Sequence, residues 1–307
     1  MTRPIRVVVT GAAGQVGVDL VDTLRASYPP GCDPHFQPDA KPIGDEEFAV
    51  VALTREELDV TNRDVVRRAI EATRPDVIVH LAAYTQVDRA ESDRDACFAV
   101  NAQGTETLSL AAHDVGAHLI TISTDYVFDG TKGDAYVEND ETHPLNVYGA
   151  SKRAGELLCA SDDTIMRSSW VMGVRGTSVV HVIAARAAKG ETVRFVDDQI
   201  GTVTLASDMA RALVTLVRER PGGTWHVANT GTTSWFEVAR YVGTLFGRDD
   251  DFATPIRTDE LVPAPAAQRP ARSDLATSKW SDKWVALPDW REGVARLVTA
   301  RRELGAS

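Results

Sequence analysis

Cysteine is scarce in this sequence: 307 residues hold three, Cys32, Cys97 and Cys159. An odd count without zinc-like spacing argues against a disulfide scaffold and a structural metal, and three buried or idle thiols suit a reducing compartment. No apolar run approaches a membrane span, and the amino terminus lacks a signal-peptide core. A soluble, cytoplasmic protein with no membrane partner is therefore expected. A basic excess is missing too. The 33 Lys and Arg against 44 Asp and Glu give a formal net charge of −11, which argues against nucleic acid as a partner. Internal repeats and low-complexity tracts are absent.

What remains is an ordinary globular composition, 43% hydrophobic and 25% charged. The length suffices for one large α/β domain with an appended lobe, or for two domains. Residues 5–10, Ile-Arg-Val-Val-Val-Thr, read as a buried parallel strand. Gly11, Gly14 and Gly17 follow directly, then Val18, Leu20, Val21 and Leu24 at helical spacing. In that setting Gly11 permits a tight turn, Gly14 the approach of a pyrophosphate, and Gly17 the packing of helix on sheet. A glycine-rich connector with no ligand is the alternative.

Residues 27–47, with Pro29, Pro30, Pro34, Pro38 and Pro42, read as a loop inserted before a second strand at 48–53. A carboxylate ending that strand would hydrogen-bond an adenosine ribose, but Thr54-Arg55 stands there. Arg55 therefore either receives the 2′-phosphate of NADPH or is a surface cation. Thr61 or Asn62 is expected to cap a helix reaching Thr73. A third strand at 76–81 leads into Ala82-Ala83-Tyr84-Thr85, small enough at first for a flat ligand to lie against the backbone. His80, without a partner at metal spacing, reads as a hydrogen-bonded core imidazole. A helix is expected over 97–115, with Asn101 tying backbone segments together.

The fourth strand, 118–123, runs into Thr124, Asp125 and Tyr126, a polar cluster on the carboxyl edge. It is either turn chemistry or part of a site facing the nicotinamide. Next come Tyr148 and Lys152, four residues apart and hence on one helix face. An ammonium there favours the phenolate of a Tyr whose ordinary pKa of about 10 suits catalysis poorly. A half-buried Tyr beside a surface Lys is the alternative. Farther on, helices are expected over 179–189, from a Ser207 cap to Arg218 and from a Ser234 cap to Phe246, and strands at 163–167, 193–196 and 225–228. Trp280, Trp284 and Trp290 would anchor the tail. The fold expected is α/β: a Rossmann-like doubly wound parallel sheet over 1–170, to which the chain returns at about 197–228, with a smaller α/β substrate-binding lobe over 171–307.

These pieces resemble the extended short-chain dehydrogenase/reductase superfamily through Gly11-x-x-Gly14-x-x-Gly17, Leu81-Ala82-Ala83 and Tyr148-x-x-x-Lys152. Ser123-Thr124-Asp125-Tyr126-Val127-Phe128-Asp129-Gly130, Arg167-x-Ser169-Trp170-Val171 and Arg269-Pro270-x-x-Ser273 narrow the resemblance to the dTDP-4-dehydrorhamnose reductase family. It covers nearly the whole chain apart from 27–47.

The resemblance implies reduction of the C4 keto group of dTDP-4-dehydro-L-rhamnose with NADPH or NADH. Tyr148 would be the proton donor, Lys152 its pKa modulator and a ligand of the nicotinamide ribose, and Thr124 the third catalytic group. Gly14, Gln15 and Val16 would lie along the dinucleotide, Asp59 and Val60 near the adenine, and Ala83, Tyr84 and Thr85 farther along it. Thr124, Asp125, Tyr126 and Trp170 would meet the nucleotide-sugar, and Arg269 its diphosphate. Some such enzymes are Mg2+-dependent homodimers. Asp19 falls at an interface position of those, and a solvated helix carboxylate is the expectation for it. His80 and Val203 depart from the family wording, which has Asn and Pro there. A 4-epimerase or 4,6-dehydratase of the same superfamily, or a non-catalytic NADP-binding regulatory subunit, are the rival readings.

Overall fold

The first strand, Ile5–Thr10 (β1), turns Val7 and Val9 to one side and Val8 to the other, and all three are buried. A strand buried on both faces belongs inside a sheet covered twice. The structure, a computed structural model, describes residues 3–25 and 47–303. The insertion expected at 27–47 lies outside the described residues except for Glu47.

Gln15–Leu24 (α1) follows the glycine turn, and Phe48–Leu53 (β2) pairs parallel to β1. Arg63–Thr73 (α2) is capped by Asn62, whose Oδ1 accepts from the Val65 amide at 3.2 Å. Val77–His80 (β3) lies on the other side of β1, with Thr10 opposite His80. The chain thus leaves β1 in one direction and returns on the other flank. The strand ends at such a reversal open a crevice that ligands occupy.

The helix expected over 97–115 is interrupted. Arg94–Phe98 runs through a five-residue π turn, Ala99–Gln103, into Gly104–Val115 (α3). His118–Thr124 (β4), Val147–Leu157 (α4) and Thr164–Ser168 (β5) complete the first half. Then come Val179–Lys189 (α5), Val193–Val196 (β6), Ala206–Glu219 (α6), Gly223–His226 (β7), Trp235–Leu245 (α7), Ala253–Ile256 (β8) and Trp290–Glu303 (α8). The main sheet is parallel throughout, in the order β7-β5-β4-β3-β1-β2.

Helices cover both faces of this sheet. Leu20 and Leu24 of α1 meet Leu213, Leu216 and Val217 of α6 over Val7, Val9 and Val79. Ile70 of α2 and Leu108 of α3 pack over Val8, Ile78 and Leu119. Each fully buried aliphatic side chain contributes about 1.5–3 kcal/mol, against about 1 kcal/mol for a cap. Packing therefore outweighs capping in holding these helices. A separate core joins α5, α7 and α8 through Ile183, Val242, Trp290 and Leu297. Ser234 caps α7 as expected, accepting from the Glu237 amide at 3.1 Å. Ser207 does not cap α6: the short pairing at Thr204–Leu205 starts that helix two residues earlier, with Leu205 at the cap. Trp280 and Trp290 are buried anchors, and Trp284 packs on Trp225 and Trp280. Among the described residues no helix is long and apolar enough to cross a membrane.

Candidate active site

The glycine turn is tight for a reason the geometry makes plain. Gly11 has φ +67°, and a Cβ there would stand 2.6 Å from the Ala82 amide nitrogen, while a Cβ on Gly17 would strike the Gly11 carbonyl. Only glycine lets β1, the Ala82 segment and α1 converge. Gly14 caps α1 without any side-chain hydrogen bond, so the first amides of the helix face outward unsatisfied by a side chain. Such an N-terminus fits a pyrophosphate. Arg55 is exposed just beyond β2. Asp59 accepts from the Thr61 amide and hydroxyl at 2.9 and 2.7 Å, and Val60 is buried against Gly104. Gln15 donates to the Thr177 carbonyl at 3.2 Å, and Val16 packs partly buried on the sheet.

Ala82, Ala83, Tyr84 and Thr85 line the same edge after β3. Asn101, carried on the π turn, fixes them: its Oδ1 accepts from the Tyr84 amide at 2.8 Å and its Nδ2 donates to the Tyr84 carbonyl at 3.0 Å. The same Nδ2 donates to Ser151 Oγ at 2.9 Å. Asn101 thus ties the loop to α4, the helix of Tyr148 and Lys152, and the π turn aims it there. Interruptions of this kind gather at functional sites. His80 is the core imidazole expected: Nδ1 meets Thr10 Oγ1 at 2.8 Å, and burial, with Lys152 nearby, pushes its pKa down to about 3.

Helix α4 starts at the Asn146 cap, which accepts from the Gly149 amide at 2.8 Å. A Cβ on Gly149 would strike the Tyr126 carbonyl, so glycine lets the helix press against the turn after β4. Tyr148 is thereby set beside Tyr126 and close to the Thr124 hydroxyl. The Tyr148 phenol is pushed up, chiefly by burial and then by Asp125, with the Thr124 hydrogen bond opposing. Burial of the phenol dominates, and Lys152 is not among the influences that set the direction of this shift. Lys152 is itself buried and lowered by that burial to about 8, while Glu156 one turn farther on raises it. Glu156 is held by Arg167 through two bonds of 2.8 Å.

Asp125 is 2% exposed. Its Oδ1 accepts from Thr124 Oγ1 at 3.0 Å and its Oδ2 from Ser273 Oγ at 2.6 Å. Tyr126 stands edge-on to Tyr148, ring centroids 6.2 Å apart, and the Arg269 guanidinium lies near enough to oppose the rise that burial gives its phenol. Arg269 grips Asp88 at 2.5 and 2.6 Å, lowering that carboxyl to about 2. Trp170, with φ 43°, stacks on Trp235 at 4.1 Å. Its strained backbone is over-determined by that stack, a pattern found at ligand sites. Asn101, Asp88 and Ser273 were not singled out as site residues from the sequence; Ser273 stands inside the Arg269-Pro270-x-x-Ser273 motif.

The model of the RmlD substrate binding domain matches residues 40–303. A dTDP-4-dehydrorhamnose reductase of Burkholderia thailandensis is 36% identical, covering 96% of this chain and 98% of the relative. The chain belongs to the dTDP-4-dehydrorhamnose reductase family. A Streptomyces niveus relative, named dTDP-4-keto-6-deoxy-D-glucose reductase, is also 36% identical over 90% of both chains. Among solved structures, the dTDP-4-dehydrorhamnose reductase of Bacillus anthracis in complex with NADP superposes with a TM-score of 0.83 at 34% identity, covering 96% of this chain and 99% of that one. Family membership makes the chain an oxidoreductase built on the Rossmann-like fold.

The cation expectation fares differently. Asp19 is 3% exposed rather than solvated, with Oδ2 unpartnered among the described residues, and burial raises its pKa to about 6 against the influence of Arg175. A buried carboxyl beside a guanidinium does not fit Mg2+, which wants several oxygens and its own waters. Among the described residues, ligand-type atoms of His113, Asp162 and Asp163 lie within 4.8 Å of one another. They flank the end of α3 and the start of β5, on the amino edge of the sheet, away from Tyr148.

Proposed function

We propose that this chain reduces the C4 keto group of dTDP-4-dehydro-L-rhamnose to give dTDP-L-rhamnose, with NADPH as the reductant. The observation that carries the reading is the convergence of Thr124, Tyr148 and Lys152 on the carboxyl edge, across the crevice from the open N-terminus of α1.

NADPH supplies the hydride when bound. The residues of the chain do the rest. The amides after Gly14 hold the pyrophosphate, Arg55 receives the 2′-phosphate, and Asp59 and Val60 border the adenine. Ala82 to Thr85, held by Asn101, form the floor under the nicotinamide half. Lys152, still mostly protonated at neutral pH, binds the nicotinamide ribose. As charge grows on the C4 oxygen, Tyr148 gives it a proton and the Thr124 hydroxyl stabilises it. A phenol kept protonated by burial suits this direction of reaction, because it yields its proton only to a stronger base. Arg269 and Tyr126 meet the diphosphate end of the sugar nucleotide, and Trp170 closes the sugar side. Residues 1–170 carry the dinucleotide, and residues from 171 onward supply most of the substrate lobe.

The test is a stoichiometric assay with dTDP-4-dehydro-L-rhamnose and each reduced nicotinamide. One NADPH should be oxidised per sugar reduced, faster than NADH. Interconversion of sugars without net oxidation of either would assign the chain to the epimerase chemistry of its superfamily instead.

A further inference from the structure

Just past the carboxyl end of β5, Trp170 keeps its backbone at φ 43°, where a bulky side chain is an outlier. Ser168, the last residue of β5, is the register partner of Thr124, so the Trp170 turn leaves the same carboxyl edge as the Thr124 cluster. The half-buried indole of Trp170 stacks on the half-buried indole of Trp235, with ring centroids 4.1 Å apart and planes 11° from parallel. At Gly201 a Cβ would stand 2.7 Å from Cε2 of Trp170 and 3.1 Å from its Nε1. The ring therefore rests on bare backbone there.

Both supports come from one small ladder. Thr233–Ser234 pairs antiparallel with Ile200–Gly201, Thr233 opposite Gly201, and Trp235 opens α7 directly after that pair. The Ile200 amide donates to the Ala271 carbonyl and the Ser273 amide to the Ile200 carbonyl, each at 2.8 Å. Ser273 Oγ in turn donates to Asp125 at 2.6 Å, which fastens the ladder to the Thr124 cluster. Beside Trp170, Ser169 Oγ donates to the Thr202 carbonyl at 2.5 Å, and the Trp170 carbonyl accepts from the Thr204 amide at 3.4 Å. These bonds hold the backbone, and the contacts with Trp235 and Gly201 hold the indole. We propose that Trp235 is a positioning residue for the substrate: on the Gly201 seat it keeps the Trp170 indole in the pose that receives the sugar. This rests on the reductase reading above, in which Trp170 closes the sugar side. A strained residue keeps one pose only where its surroundings over-determine it. Without the stack the same indole would sample other poses, and the sugar would bind only to the fraction that is correctly placed. An indole wall presents a broad apolar face with a single N–H, so what it recognises is a face of C–H groups on the sugar ring.

Steady-state oxidation of NADPH with dTDP-4-dehydro-L-rhamnose, on the full chain, tests this. In Trp235→Leu the KM for the nucleotide-sugar should rise about three- to tenfold, the range an aromatic pair is worth, with kcat and NADPH affinity close to wild type. Trp235→Phe keeps an aromatic face and should bring KM back to within about twofold of wild type. Gly201→Ala reaches the indole from its other support and should raise KM in the same way, because a contact of 2.7 Å forces the ring to move. Circular dichroism reads the stack without substrate: the same exciton couplet should be missing from Trp235→Phe and from Trp170→Phe. An unchanged KM in Trp235→Leu, no rescue by Trp235→Phe, or difference spectra without a shared couplet would overturn the proposal. An equal loss of NADPH affinity would assign Trp235 to the fold alone and overturn it too. A wild-type protein that oxidises no reduced nicotinamide overturns the reductase reading itself. Calorimetric binding of dTDP-L-rhamnose then decides on Trp235: weaker binding in Trp235→Leu than in wild type supports the positioning role, and equal or absent binding overturns it.

Discussion

Arg269 spends both ends of its guanidinium on Asp88, at 2.5 and 2.6 Å, although 181 residues separate them. The pair closes over the segment that also anchors the Ala267 amide on Asp88 at 3.0 Å. In the proposed function the same fork meets the substrate diphosphate, so the carboxylate and the substrate compete for it. Arg269→Ala should raise KM for the nucleotide-sugar by about 10-fold or more with kcat little changed, a bidentate charged contact being worth about 1.5–3 kcal/mol. Asp88→Asn should lower KM, by less than about fivefold, because Asp88 is half exposed and such pairs contribute about 1 kcal/mol or less. Steady-state kinetics of the two variants measure both. A higher KM in Asp88→Asn would mean that the pair positions Arg269 rather than competing for it.

Tyr148→Phe removes the proton donor and little volume. Turnover should drop by about 100-fold or more, with NADPH affinity close to that of wild type. Cofactor binding followed by fluorescence, beside the activity assay, separates the two. A variant that turns over like wild type would remove Tyr148 from the chemistry.

Asp19 should make stability depend on pH. Its folded pKa, about 6, lies above the usual carboxyl value of 3.8, because burial penalises the charge. The unfolded chain therefore ionises first as pH rises, and the folded state loses stability between about pH 4 and 6. At pH 8 that loss amounts to about 2–3 kcal/mol, at 1.36 kcal/mol per pKa unit. Asp19→Asn should stabilise the protein by about that much at pH 8 and hardly at all at pH 4. Thermal or urea unfolding at the two pH values decides it; a benefit independent of pH would contradict the burial argument.

Much of this was legible in the sequence. The three glycines, the Tyr148–Lys152 spacing and Thr124 at a strand end are local patterns, and local patterns survive without knowledge of the fold. The strands at 48–53 and 193–196 and the helix at 179–189 agree with the expectations because their apolar periodicity is strong. What could not be read depends on tertiary contact. Asp125 and Ser273 are 148 residues apart in sequence. Asp19 looks like any helical acid until Arg175 and the segment around Gly173 and Gly176 close over that end of α1. The π turn leaves no periodic trace in five residues, yet it decides where Asn101 points.

That last point has its own consequence. Asn101→Ala would strip the Tyr84 amide and carbonyl of their partner at once. Stability should fall by about 1–3 kcal/mol, and NADPH binding should weaken because the floor of the crevice loosens. Calorimetric unfolding and cofactor titration of the one variant check the two halves; weaker unfolding resistance with unchanged cofactor affinity would confine Asn101 to a structural role.

The most direct measurement of the central claim follows the hydride itself. NADPH deuterated at both C4 positions of its nicotinamide, incubated with dTDP-4-dehydro-L-rhamnose and the protein, should give dTDP-L-rhamnose bearing one deuterium at the sugar C4. Product without deuterium at that carbon, or labelled cofactor left intact, would contradict the account.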